Sequence, residues 1–144
     1  MESLKLKVKK LHRDAKVPTK ARPTDTCWDL YAVRDTRIPS SGGCAYVGTG
    51  IALGLPKGFS AKISPRSGFS EQQKCTTGAG EIDNEYTGEV KVLIFNFSAY
   101  PLVITKGTKF AQFKLQRIYS VDIEEVTELE QTTRGDQGFG SSGQ

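Results

Sequence analysis

The chain has 144 residues, of which 37% are hydrophobic and 25% charged, and a formal charge of +4. That length supports one core without a second independent domain, and no apolar run reaches the roughly 20 residues that a membrane-spanning helix requires. The charge is uneven: residues 1–22 hold eight lysines and arginines against Glu2 and Asp14, a net +6, which leaves −2 for the rest. A charged outer face on an edge strand accounts for this excess as well as a polyanion site does, so nucleic-acid binding is disfavoured.

In chain order, Leu4, Leu6 and Val8 alternate with Lys5, Lys7 and Lys9 and predict a first strand. The start lacks the continuous apolar stretch of a secretory signal, so the mature chain is expected to begin where it is written. Cys44–Val47 and Ile51–Leu53 predict a pair of strands around Gly48 and Gly50. The segment Gly48-Thr-Gly-Ile-Ala-Leu-Gly54 looks superficially like a dinucleotide loop, but its third glycine is one position late and no helix follows, which points to a strand bulge. Phe59, Ala61 and Ile63 predict another strand; Val90–Phe97, β-branched and aromatic, a central one; Ala111, Phe113 and Leu115 a last one. The Glu-rich stretch Ile123–Glu130 predicts at most a turn of helix. Turn residues recur every 8 to 12 positions or so, at Pro39–Gly43, Pro56-Lys-Gly58, Tyr100-Pro101 and Lys106-Gly107, which favours an all-β sandwich or barrel over alternating strands and helices. Residues 134–144 are rich in glycine and serine with one aromatic, and are expected to be mobile when empty.

Three cysteines, Cys27, Cys44 and Cys75, form no C-x-x-C pair, and His12 is the only histidine. Zinc sites and Ser-His-Asp or Cys-His machinery are therefore poorly supplied, and free thiols fit a reducing intracellular compartment, cytoplasmic or nuclear. The remaining chemistry belongs to carboxylates, arginines, backbone amides or a hard metal. Ser64-Pro-Arg-Ser-Gly-Phe69 stops a strand at Pro65 and then places a guanidinium, a hydroxyl and a free glycine together, parts that suit phosphate oxygens or simply a tight turn with an ion-paired arginine. Gly80–Val90 reads as a hairpin with Asn84-Glu85 at its tip, bringing Asp83, Glu85 and Glu89 near Tyr86, either as a site or as a solvated acidic turn. Arg134 with Gly138-Phe-Gly-Ser-Ser-Gly143 combines a charge, an aromatic face, hydroxyls and flexible amides, which can close over a planar base and its phosphates or form an incidental tail.

These segments in this order resemble the five motifs of the trimeric deoxyuridine triphosphatase (dUTPase) family. They are Asp25-Thr-Cys-Trp-Asp-Leu-Tyr-Ala32, Ser64-Pro-Arg-Ser-Gly68, Gly80-Glu-Ile-Asp-Asn-Glu-Tyr-Thr-Gly-Glu-Val90, Lys106-Gly-Thr-Lys-Phe-Ala-Gln-Phe113 and Arg134-Gly-Asp-Gln-Gly-Phe-Gly-Ser-Ser-Gly143. The resemblance implies a distorted jelly-roll-like β subunit over residues 1–133, a tail over 134–144 that closes on the active site, and a homotrimer whose sites draw on more than one chain. It implies hydrolysis of dUTP to dUMP and pyrophosphate, with Asp83 activating the water that attacks the α-phosphorus. Mg²⁺ is the implied cofactor, on which Asp29 acts largely through bound water.

By the same matching Arg66, Ser67, Gly68 and Gln112 serve the phosphates. Arg134 and Gly140, Ser141 and Ser142 close on their far end, and Phe139 stacks on uracil. The backbone of Gly80, Glu81 and Ile82 and the strand near Lys91 pair with the base, where cytosine would leave buried groups unpaired. A thymine methyl in a close-packed turn costs about 1–3 kcal/mol, and Tyr86 beneath the sugar leaves little room for a ribose 2′-hydroxyl. The chain departs from the family pattern at Cys27-Trp28, Glu81, Gln137 and Ser142 without losing a catalytic group. A dUTP-binding regulatory protein and a dCTP deaminase are the alternatives the resemblance leaves open.

Overall fold

The computed structural model describes residues 3–140. Among them lie ten strands and one short helix: β1 (Lys7–Lys10), β2 (Trp28–Tyr31), β3 (Thr36–Ile38), β4 (Gly43–Gly54), β5 (Phe59–Ser64), α1 (Ser67–Gln73), β6 (Cys75–Gly78), β7 (Glu81–Ile82), β8 (Glu89–Asn96), β9 (Leu102–Ile104) and β10 (Lys109–Arg117). One sheet runs β1-β4-β8-β6, a second β2-β10-β5-β7, and β3 pairs with β9. Every ladder is antiparallel. The expected all-β, jelly-roll-like class is what the chain adopts.

The strands form where side chains alternate. On β8, Val90, Val92, Ile94 and Asn96 point inward while Lys91, Leu93 and Phe95 face out, and on β10 Phe113 is buried between half-exposed Gln112 and exposed Lys114. The inward faces meet in one core that includes Leu30, Val47, Ile51, Val92, Ile104 and Phe110, each at most 1% exposed. Asn96 lies fully inside it, yet its amide donates to the carbonyls of Ile38 and Tyr100 at 3.3 and 2.8 Å and accepts from the Ser98 N–H. No buried side-chain polar atom among the described residues lacks a partner, so these side chains carry no uncompensated desolvation.

Several elements differ from the sequence expectation. The first strand starts at Lys7, and Leu4 is exposed because β4 offers it no partner. Cys44–Val47 and Ile51–Leu53 belong to one strand, β4. Its pairing with β8 shifts between Gly48 and Ala52, and Gly50 takes φ +68° where a Cβ would lie 2.8 Å from Val33. A bulge thus bends the strand instead of ending it. Residues 67–73 form α1 where a loop was expected, closed by Lys74 in the left-handed region. The Glu-rich stretch 123–130 forms no helix; it lies exposed, and without tertiary packing a short uncapped segment does not hold a helical turn. The segment 80–90 is not a β-hairpin: β7 pairs with β5 and β8 with β4 and β6, so the turn between them crosses from one sheet to the other.

Candidate active site

Sheet register brings three distant segments together. On β10, Gln112 faces Asp29 of β2 on one side and Ser64 of β5 on the other. Pro65 has no N–H to extend the ladder, so the chain turns away and Arg66 swings back over the sheet. The Arg66 Nε donates to Asp29 Oδ1 at 3.0 Å and its Nη1 to the Lys109 carbonyl at 3.1 Å, while the Lys109 Nζ stands 3.8 Å from Asp29 Oδ2. Asp29 is only 8% exposed and is held between two cations. Gln112 donates to the Pro65 carbonyl at 3.0 Å and to Ser64 Oγ at 3.4 Å.

Asp29, Arg66 and Gln112 line a cleft of about 590 Å³ with Thr26, Cys27, Ser67 and Gly68. Arg66 uses two of its five N–H donors internally, and the others, with the exposed amides of Ser67 and Gly68, suit an anion with several oxygens. Asp29 is the sole carboxylate inside this group apart from Asp25, which accepts from the Arg22 N–H. No cluster of three or more His, Cys, Asp or Glu among the described residues forms a metal cage.

A second cleft of about 260 Å³ is lined by Tyr46, Ala79, Ile82, Asp83, Tyr86 and Lys91, with Ile63, Glu81, Glu89 and Val90. It shares no lining residue with the first. Gly80 forms its edge: its carbonyl accepts from the Ile63 N–H at 2.7 Å, and a Cβ there would meet the Ile63 carbonyl oxygen at 2.7 Å. Ala79 beside it takes φ +48°. A turn follows in which the Tyr86 N–H donates to the Asp83 carbonyl at 3.1 Å, and the half-exposed Tyr86 donates its hydroxyl to the Glu89 carbonyl at 2.7 Å. Asp83 is exposed, and its carboxylate has no hydrogen bond or ion pair within the described residues, so it is free to take a proton from a water.

The tail residues stand apart from both clefts. The Arg134 Nε donates to the Gln137 carbonyl at 2.6 Å, Phe139 is fully exposed, and neither cleft is lined by a residue beyond Gln112. Ser141 and Ser142 lie outside the described residues. The single chain therefore assembles Asp29, Arg66, Ser67, Gly68 and Gln112 in one place, Glu81, Ile82, Asp83, Tyr86 and Lys91 with Gly80 in another, and keeps Arg134, Phe139 and Gly140 out of both. Sequence reasoning missed Lys109, Thr26 and Tyr46. Lys109 sits three positions before Gln112 in the fourth motif and its charge was visible, but its proximity to Asp29 depends on strand register.

A family model described as dUTPase matches residues 13–143. The deoxyuridine 5'-triphosphate nucleotidohydrolase of Saccharomyces cerevisiae is 42% identical over 139 residues, covering 96% of this chain and 94% of that protein. The enzyme of the same name from Arabidopsis thaliana is 39% identical over 137 residues, covering 95% and 82%. Among solved structures, the dUTPase of Staphylococcus bacteriophage 80alpha with dUpNHpp superimposes with a TM-score of 0.83 at 25% identity, covering 96% of this chain and 98% of that one. A dUTPase variant from phage phi11 of S. aureus, described as coordinating a structural Mg(II) ion, superimposes with a TM-score of 0.79 at 22% identity, covering 88% and 99%.

Proposed function

We propose that this chain, which belongs to the dUTPase family, hydrolyses dUTP to dUMP and pyrophosphate. The observation that carries the reading is the division of labour between the two clefts. One offers cationic and amide donors without a free base; the other offers an unpaired carboxylate beside a half-exposed tyrosine. A triphosphate suits the first and a nucleoside with its attacking water the second.

In this reading Asp83 accepts the proton of a water as its oxygen bonds to the α-phosphorus, and the bond from that phosphorus to the bridging oxygen breaks to release pyrophosphate. Arg66, the amides of Ser67 and Gly68, and Gln112 hold the phosphate oxygens and fix the in-line geometry. The backbone of Gly80 to Ile82 and the strand at Lys91 read the base, and Tyr86 supports the sugar. The tail, residues 134–144, closes with Arg134, Gly140, Ser141 and Ser142 on the phosphates and Phe139 over the base, while residues 1–133 form the folded domain.

Asp29 is one hard carboxylate already flanked by two cations. That donor set does not make an all-protein cage and fits Mg²⁺, which Asp29 would hold through water. The chemistry the ion would supply there is neutralisation of phosphate charge.

The working unit in this reading is a homotrimer in which the first cleft of one copy and the second cleft of another share a substrate. The arm after β10 supports it: Tyr119, Val121, Ile123 and Leu129 are each at least 76% exposed on a segment without regular structure, apolar surface that a second copy would cover. Within the described residues no helix is long and apolar enough to cross a membrane, and the chain is proposed to act inside the cell, in the cytoplasm or nucleus.

Product analysis with dUTP and Mg²⁺ tests the reading. Pyrophosphate and dUMP should form far faster than the corresponding products of dCTP, dTTP or UTP, whereas ammonia release from dCTP would indicate a deaminase and binding without products a sensor. Asp83→Asn should bind the nucleotide as before and lose turnover by at least about a hundredfold; unchanged turnover would remove Asp83 from the role of base.

A further inference from the structure

Asp83 lacks any bond that would aim its carboxylate, so its position must come from its neighbours. On one side Ile82 is buried at 7% exposure and pairs with Ala61 of β5. On the other, the half-buried Asn84 side chain reaches across to the β4–β5 turn and donates to the carbonyls of Pro56 at 2.9 Å and Phe59 at 2.7 Å. Both acceptors are carbonyl oxygens, so the nitrogen of the amide must face them, and its two hydrogens are used one apiece. The turn they belong to is itself rigidly held. The Phe59 N–H closes it on Pro56 at 3.1 Å, Gly58 takes φ +85°, and the Gly58 carbonyl accepts from the Ile118 N–H at 2.8 Å.

We propose that Asn84 is a positioning residue for hydrolysis: it clamps the Asp83–Tyr86 turn to the β4–β5 turn and so holds the base where the attacking water sits. The inference rests on the reading of Asp83 as that base. No other side-chain hydrogen bond from residues 83–85 ties this turn to the rest of the described chain. Removing the clamp leaves the two clefts intact and widens the spread of Asp83 positions, which lowers the chance of in-line attack more than it lowers affinity.

The experiment compares the full-length protein with Asn84→Ala and Asn84→Gln, reading turnover and KM for dUTP with Mg²⁺ and, separately, affinity for dUpNHpp. Asn84→Ala should lower kcat about tenfold while KM and analogue affinity stay within about twofold. Asn84→Gln keeps the amide donors on a longer stem and should recover about half of that loss on a logarithmic scale. The low-pH limb of the turnover profile should keep its midpoint, because the base is unchanged, with a lower plateau. Unchanged kcat in Asn84→Ala, an equal loss of affinity and turnover, or a glutamine variant no better than alanine would overturn the proposal. If the alanine variant does not fold, the glutamine variant decides: about a threefold fall in kcat alone supports the clamp and none refutes it. A wild-type protein that binds dUpNHpp without releasing pyrophosphate from dUTP would sink the hydrolase reading and this inference with it. An active wild type with an unaffected Asn84→Ala sinks this inference alone.

Discussion

Adding one carbon at Gly80 would drive it into the backbone of β5, 2.7 Å from a carbonyl oxygen that cannot rotate away. Gly80→Ala should therefore destabilise the fold by about 1–3 kcal/mol and lower the midpoint of urea unfolding. Lys74 shows the opposite case. It ends α1 at φ 55° with its N–H on the Ser70 carbonyl, a conformation that costs an L side chain energy and glycine none. Lys74→Gly should raise stability by about 0.5–1 kcal/mol in the same assay. The residue types were readable in both places, but the collision and the sign of φ were not, because each depends on a backbone path set elsewhere. Cys75 follows the same logic: burial pushes its thiol above the ordinary range, so it should resist a thiol reagent until the protein unfolds.

Elements were legible where one face is buried and the other wet. The strands at Phe59–Ser64 and Lys109–Arg117 were marked by their alternation. The short strands β3, β6 and β9, of three or four residues, carry too few alternations to stand out. The turn between β7 and β8 misleads because its residues suit a hairpin equally well, and only the partners of its two strands separate the cases. The N-terminal segment is pinned to the β9–β10 turn by Lys106, whose ammonium bonds Asp14 at 2.8 Å. That bond, with the neighbouring positive charges, holds the Asp14 carboxyl below its ordinary value of 3.8. A carboxyl depressed in the folded state contributes stability above 3.8 and loses it as the pH falls through its folded value. The urea midpoints of wild type and Asp14→Asn should thus differ slightly at pH 7 and converge below pH 3.8.

At the scale of the whole molecule, the proposed site residues fall into two clefts and a detached tail, which is the arrangement expected when chains share sites. A mixing experiment tests this directly. Arg66→Ala and Asp83→Asn should each be nearly inactive alone; unfolded together and refolded, random hybrids should regain about a quarter of wild-type turnover, because some sites take Arg66 and Asp83 from different intact copies. No recovery would place both residues in one chain's site and remove the shared-site reading.

The sequence by itself determined the all-β class, the order of the five motifs and the chemical groups in each, because these depend on residue type, period and local turn chemistry. Only the tertiary structure decided which groups meet. Asp29, Arg66 and Lys109 come together across 37 and 43 residues, and Asn84 finds its carbonyls 28 and 25 residues away. Such contacts arise from strand register and sheet order, which are set by how the buried faces of the entire chain fit together and are not encoded within any one segment.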